Sequence, residues 1–239
     1  MTLTQERLIV ALDTNAAGAR VLARELAGVV RWVKVGMTLF YEAGPGIVTE
    51  LRQAGFEVFL DLKLHDIPHQ VRGAAETLGR LGARMLTTHA SGGEAMLRAA
   101  VEGARAGAEA AGVAPPAVLA VTVLTSLDDA ALASIGVPRP AAEQVPLLAA
   151  LVQVSGASGI VCSPNEARAM RTLLGEEALI VVPGVRPAWA EAGDQSRVAT
   201  PEAAIAAGAS HLVIGRPITE ARDPAGAARA VLNEMEALA

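Results

Sequence analysis

Asp61-Leu62-Lys63-Leu64-His65-Asp66 is the densest group of ionisable side chains in this 239-residue chain. Side chains on a strand alternate between its faces, so Asp61 and Lys63 point the same way. In a closed barrel that direction is inward, and a carboxylate and an ammonium then meet at the mouth of the barrel. Such a pair fixes a cation in place. Its lysine can also deliver a proton, because an ammonium pKa is movable whereas arginine stays charged at any working pH. The chain has only two lysines, Lys34 and Lys63, among 20 Lys and Arg residues. The scarcity itself fits an alanine- and arginine-rich composition, but the positions of the two survivors are informative. They fall in the apolar runs Trp32-Val33-Lys34-Val35-Gly36 and Phe59-Leu60-Asp61-Leu62-Lys63, where an unpaired ammonium is costly. Lys34, at the end of the neighbouring strand, adds a third charge, and Asp66, three residues beyond Lys63, a fourth. Gathering four charges in one place is costly unless they are paired, and that cost is usually tolerated for function.

A second group has the chemistry of an anion site. Val213-Ile214-Gly215-Arg216-Pro217 combines a glycine that allows close backbone approach with an arginine and free N–H groups, and Pro183-Gly184-Val185-Arg186 repeats the theme one strand earlier. Barrels commonly hold a phosphate after their seventh and eighth strands.

The elements that must position these residues alternate along the chain. Short aliphatic runs predict strands near Leu8–Asp13, Trp32–Met37, Val58–Lys63, Met85–Ala90, Val118–Leu124, Gly159–Ser163, Leu179–Pro183 and His211–Gly215. Ala/Leu/Glu/Arg segments predict helices near 16–29, 44–54, 69–81, 93–111, 141–156, 165–174, 201–207 and 223–237. Asp13-Thr14-Asn15, Ser163-Pro164-Asn165-Glu166 and Thr200-Pro201-Glu202 supply helix-start signals, and glycines 55, 82 and 208 supply stops. Eight such units in unbroken succession predict one (β/α)8 TIM barrel, an α/β domain over residues 1–239. An open doubly wound sheet would want glycines after the first strand, where this chain has Asp13-Thr14-Asn15-Ala16. Thr125–Pro140 and Val185–Thr200 read as long loops on the C-terminal face of the barrel, lids or binding loops by their length.

Composition narrows the function classes. Apolar residues make up 52% of the chain and aromatics only 3%, so the core is expected from Val, Leu, Ile and Ala, as suits a buried parallel sheet. Net charge is −5, with no basic stripe for nucleic acid. The single cysteine, Cys162, excludes an intrachain disulfide and a cysteine metal cluster and reads as core filler. No apolar run approaches ~20 residues, so no membrane span is expected, and the residues from Met1 to Val10 lack a signal-peptide pattern. A cytoplasmic protein is expected.

At Asp61-x-Lys63-x-x-Asp66 the chain resembles the orotidine 5′-monophosphate decarboxylase family. The resemblance runs through Ala11-Leu12-Asp13, Lys34-Val35-Gly36-Met37, Asp61 to Pro68, Val121-Thr122-Val123-Leu124-Thr125-Ser126, Pro183-Gly184-Val185-Arg186, Gly193-Asp194-Gln195 and Ile214-Gly215-Arg216. It implies a cofactor-free, metal-free decarboxylase of the last step of pyrimidine nucleotide synthesis. It also implies a homodimer with sites shared across the interface. By that resemblance Asp13 and Lys34 hold the ribose hydroxyls, Asp61 sits against the substrate carboxylate and orients Lys63, and Lys63 gives a proton to C6. Asp66 is contributed to the neighbouring subunit's site. Ile67 and Gln70 bind substrate, Thr125 lies at the pyrimidine edge, and Arg186, Gln195, Gly215 and Arg216 gather around the phosphate. The family commonly reads Pro-Asn-Thr where this chain has Pro68-His69-Gln70; Gln70 offers a longer amide in place of that threonine. Of the histidines, His65 is expected to face away from Asp61 and Lys63, and His89 to support the site from the core.

Two other readings use the same residues. A metal-dependent aldolase or decarboxylase acting on a sugar phosphate shares Asp-x-Lys-x-x-Asp. Those relatives carry a metal-holding Glu where this chain has Lys34, and an ammonium there repels a metal ion. A phosphate-ligand sensor or scaffold on a retired barrel is the other, and the intact charge array speaks against it.

Overall fold

Eight short runs of β-branched and aliphatic residues pair side by side in chain order, all parallel, and the eighth returns to the first. The computed structural model describes residues 4–190 and 199–236. The strands are β1 (Leu8–Ala11), β2 (Trp32–Gly36), β3 (Glu57–Leu64), β4 (Met85–His89), β5 (Ala117–Val121), β6 (Gly159–Val161), β7 (Leu179–Pro183) and β8 (His211–Ile214). The helices around them are α1 (Ala16–Leu26), α2 (Met37–Ala43), α3 (Gly46–Gln53), α4 (Pro68–Gly79), α5 (Gly93–Ala111) and α6 (Asp129–Ser134). They continue with α7 (Ala141–Ser155), α8 (Ala167–Leu174), α9 (Pro201–Ala206), α10 (Arg216–Thr219) and α11 (Pro224–Glu236). Closure leaves no sheet edge to cover.

Local chemistry accounts for most helix starts. Asn15 caps α1 by accepting from the Gly18 N–H at 2.8 Å, and Thr200 caps α9 with Pro201 in the first turn. The signal at Ser163 works differently. There Glu166 accepts from the Ser163 N–H at 2.8 Å, and α8 begins only at Ala167. The segment 125–140 is also not the open loop its length predicts. Asp128 caps α6 through the Ala131 N–H, and Asp129 accepts from the Ala141 N–H at 2.8 Å, which folds the segment back onto α7.

Hydrophobic burial is divided in two. The larger cluster fills the layer between strands and helices, with Leu8, Val10, Val33, Leu60 and Leu86 facing outward from the barrel. The smaller one fills the barrel interior with Ile9, Trp32, Phe59, Met85, Leu119 and Val181. An aromatic-poor chain was expected to build its core from small aliphatic residues. Instead it spends Trp32 and Phe59 at the barrel axis, where volume must be filled from few positions.

His211 opens β8 at the end of the barrel opposite the charged mouth. Its ring meets Trp32 edge to face, centroids 5.5 Å apart. Burial, helped by the Arg7 cation, pushes its pKa down from 6.5 to about 4. The folded protein therefore holds it neutral, while the unfolded chain takes up a proton at higher pH. Stability from this group is complete above pH 6.5 and falls as the pH drops toward 4, by about 3 kcal/mol at the lower end. Denaturant titrations of wild type and His211→Gln at pH 7.5 and 4.5 check this. The wild type should lose about 2–3 kcal/mol more than the variant over that interval, and equal losses would refute it.

Candidate active site

β3 presents Asp61 and Lys63 to the same place, though not by simple alternation. Its pairing with β4 shifts register between Leu60 and Leu64. Lys63 has φ 50°, and no other non-glycine residue among those described has a positive φ. For a side chain with a Cβ, that left-handed conformation costs roughly 1–2 kcal/mol. It is held from β4: the Lys63 N–H donates to Thr87 Oγ1 at 2.9 Å, and the Thr87 hydroxyl donates to Asp61 Oδ1 at 3.0 Å. Next door, Thr88 Oγ1 donates to the Leu64 carbonyl at 2.8 Å. Lys63 Nζ then reaches Asp61 Oδ1 at 2.8 Å.

Lys34 sits in the middle of β2 rather than at its end. The pairing of Ala11 with Lys34 and of Gly36 with Asp61 aligns β1, β2 and β3 so that three strands contribute to one cluster. Lys34 Nζ lies 2.8 Å from Asp13 Oδ1 and 3.4 Å from Asp61 Oδ2. The result is a row of alternating sign: Asp13, Lys34, Asp61, Lys63. Gly36 makes the close approach possible, since a Cβ there would stand 2.9 Å from Asp13 Oδ1 and 3.2 Å from Lys34 Nζ. Sequence reading missed both Gly36 and Thr87. A glycine following a lysine in a strand was a signal for close packing, whereas a threonine in a strand reads as ordinary sheet chemistry.

Burial pushes the Asp61 carboxyl toward protonation and is the largest single influence on it. The Lys34 and Lys63 ammonium groups and the hydrogen bonds from Lys63 and Thr87 together outweigh it, so its pKa lies below the ordinary carboxylate value. Asp61 is therefore an anion at neutral pH. Side-chain exposure is only 9% for Lys34 and 13% for Asp61, so removal of either leaves a poorly solvated charge, at a cost of about 3–5 kcal/mol.

Lys34, Asp61 and Lys63 line both of two adjoining cavities, and Asp13 lines only the larger. The larger, about 590 Å³, has a wall about half polar, in which Asp13, Lys34, Lys63, Arg186 and Arg216 supply the charges and Gly215 an open stretch of backbone. The smaller, about 170 Å³, lies among Phe59, Val121, Val123, Val161, Val213 and Thr125. Its walls are apolar apart from Lys34, Asp61, Lys63 and one threonine hydroxyl. The first suits an anion and hydroxyl groups. The second suits a flat ring that meets polar groups only at its edge. Arg186 is buried, and its N–H donates to the Ala199 carbonyl at 3.0 Å; with the pairing of Val185 and Ala199 this anchors the base of the segment after β7.

The fold thus brings together Asp13, Lys34, Asp61, Lys63, Thr125, Arg186, Gly215 and Arg216. It does not bring Asp66, Ile67 or Gln70 to them. All three are exposed at the start of α4, none lines either cavity, and Asp66 Oδ1 accepts from the Ile67 N–H at 2.6 Å. The fourth charge of the row is Asp13, not Asp66. Barrel order explains this, since β1 is the neighbour of β2 whereas Asp66 lies beyond the end of β3. Gln195 lies outside the described residues. His65 is exposed, its ring 5.3 Å from that of half-buried His89. Burial first, then the charges of His65 and Lys63, lower the His89 pKa. Cys162 is fully buried, and burial, with Glu166 adding to it, pushes its thiol pKa far up, which leaves it inert. Among the described residues, no three His, Cys, Asp or Glu side chains are grouped to hold a metal ion, and no helix is long and apolar enough to cross a membrane.

Comparison with known proteins gives one answer. Residues 6–231 match the family model described as Orotidine 5′-phosphate decarboxylase / HUMPS family. The orotidine 5′-phosphate decarboxylase of Paramagnetospirillum magneticum is 53% identical over 227 residues, 95% of this chain and 97% of that protein. The enzyme of the same name from Anaeromyxobacter dehalogenans is 52% identical over 227 residues, 95% of this chain and 96% of the relative. The crystal structure of orotidine 5′-phosphate decarboxylase from Lactobacillus acidophilus superposes with a TM-score of 0.86 at 41% identity, covering 97% of this chain and all of that one.

Proposed function

The chain belongs to the orotidine 5′-phosphate decarboxylase / HUMPS family, and from that premise we propose that it converts orotidine 5′-phosphate to uridine 5′-phosphate and carbon dioxide without a cofactor. This is the last step of pyrimidine nucleotide synthesis, a cytoplasmic reaction. The observation that carries the reading is the row Asp13–Lys34–Asp61–Lys63, whose last three members line both an apolar slot and a larger cavity edged by two arginines.

The chemistry follows from what each part can do. The phosphate goes to the Arg186 and Arg216 side with Gly215, and Gln195 joins it from the segment after β7. The ribose hydroxyls meet Asp13 and Lys34, and the pyrimidine enters the slot with Thr125 at its edge. The substrate carboxylate then lies against Asp61. When the bond from C6 to the carboxylate breaks, its electron pair stays on C6 and carbon dioxide leaves. No ring position delocalises that pair, so the fixed ammonium of Lys63 must stabilise it as it develops. Lys63 then gives C6 its proton, becomes a neutral amine, and recovers a proton from solvent before the next turnover. Binding energy from the phosphate, remote from the reacting bond, can be used to organise the charge row around the reacting carbon.

Asp66, Ile67 and Gln70 are exposed on their own protomer and line neither of its cavities. Their proposed place is the site of a second copy of the chain, in a homodimer. A metal-using aldolase or decarboxylase is disfavoured by Lys34, whose ammonium stands between the carboxylates of Asp13 and Asp61 where a divalent cation would have to be.

Carbon dioxide release from orotidine 5′-phosphate by the purified protein tests the proposal. Turnover undiminished by a chelator is expected. No turnover by a folded dimer would sink it, and turnover abolished by the chelator would move the chain to its metal-using relatives.

A further inference from the structure

We propose that Thr87 is a positioning residue for the reaction, which locks the Asp61–Lys63 pair by binding the carboxylate of one and the backbone of the other. The inference rests on the decarboxylase reading and adds to it a residue outside the charged row. Thr87 is fully buried in β4 and faces the point where β3 breaks register. A threonine hydroxyl has one proton to donate and two lone pairs to accept with. Here the proton goes to Asp61 Oδ1 at 3.0 Å, and a lone pair takes the Lys63 N–H at 2.9 Å. The rotor is therefore fixed, and one oxygen ties two residues that must not move apart.

The tie addresses a specific difficulty. The register shift releases the Lys63 N–H from the regular pairing of β3 with β4, and a buried N–H without a partner is costly. Lys63 also holds a left-handed conformation that its own side chain disfavours. Thr87 supplies the missing acceptor and in doing so holds that conformation. Its donated proton occupies the same Asp61 oxygen that accepts from Lys63 Nζ at 2.8 Å, which leaves Oδ2 turned toward Lys34 at 3.4 Å. Rotation of the carboxylate would break both arrangements at once.

The test uses two variants of the full-length enzyme. Thr87→Val keeps the shape and β-branching that suit a strand but removes donor and acceptor. Thr87→Ser keeps both. The expected result is a kcat about 10- to 100-fold lower for the valine variant, with KM changed by less than about threefold because the phosphate and ribose contacts are elsewhere. Serine should restore most of the lost turnover. A residue that only packs would do the reverse: Thr87→Ser, which loses a buried methyl group, would melt earlier, Thr87→Val would not, and neither would lose kcat. Crystal structures of the variants read the geometry without any activity. Lys63 should leave the left-handed region in Thr87→Val and keep it in Thr87→Ser. An unchanged Lys63 φ and Asp61 contact in the valine variant, or an unchanged kcat beside an active wild type, would overturn the proposal. A wild type without turnover would count against the decarboxylase reading, and the crystallographic comparison would still decide the role of Thr87.

Discussion

Lys63→Arg is expected to leave a folded protein with a full positive charge at the barrel mouth and a kcat at least ~10³-fold below wild type. The variant separates the two jobs that the proposed mechanism gives to Lys63. Arginine keeps the cation, so part of the electrostatic stabilisation of C6 survives. It cannot give up its proton at neutral pH, so the carbanion must wait for water. Geometry adds to the loss. Lys63 reaches Asp61 Oδ1 at 2.8 Å from a left-handed backbone position, and a longer planar fork does not fit the same point. Lys63→Ala should be worse still, since it removes cation and proton alike and leaves buried Asp61 with only Lys34 opposite. Steady-state rates, with thermal melting to establish that the barrel is folded, check the series. A nearly wild-type rate for Lys63→Arg would mean that proton delivery from residue 63 is not part of the mechanism.

The second large effect is a gain. Lys63→Ala and Asp66→Asn are each expected to be inactive alone, and mixing them should restore about a quarter of the wild-type specific activity. In a symmetric dimer with shared sites, random exchange makes half of the dimers mixed. In each mixed dimer one site pairs an intact Lys63 with an intact Asp66 from the other subunit, and the second site lacks both. The exposure of Asp66, and its absence from the lining of either cavity, motivate the experiment. If subunits exchange and the mixture stays inactive, Asp66 acts within its own chain.

Much of the architecture was legible in the sequence for a plain reason. Parallel strands buried on both faces read as continuous aliphatic runs, and all eight were found near their observed places. α2, α6 and α10 escaped; each is less than about two turns long. Equally short α9 was found because Thr200-Pro201-Glu202 marks its start, whereas the signal at Asp128-Asp129 was submerged in a segment whose length suggested a loop. The anion turns at Pro183–Arg186 and Gly215–Arg216 were legible because glycine and arginine are informative wherever they end a strand, and both line the larger cavity.

What the sequence by itself determined is the inventory and its approximate placement: two lysines, three aspartates at or beside strand ends, and two turns carrying glycine and arginine, each on the same face of a barrel. What only the tertiary structure decided is who touches whom. It set Asp13, not Asp66, as the fourth charge beside Lys34, put Thr87 under the Asp61–Lys63 pair, and turned Lys63 into a left-handed conformation that no local signal announces. The physical reason is that residue type and periodicity are properties of a short stretch of chain. Contact between Asp13, Lys34, Asp61 and Thr87 depends instead on register across four strands, and barrel closure fixes that register only when every strand is in place.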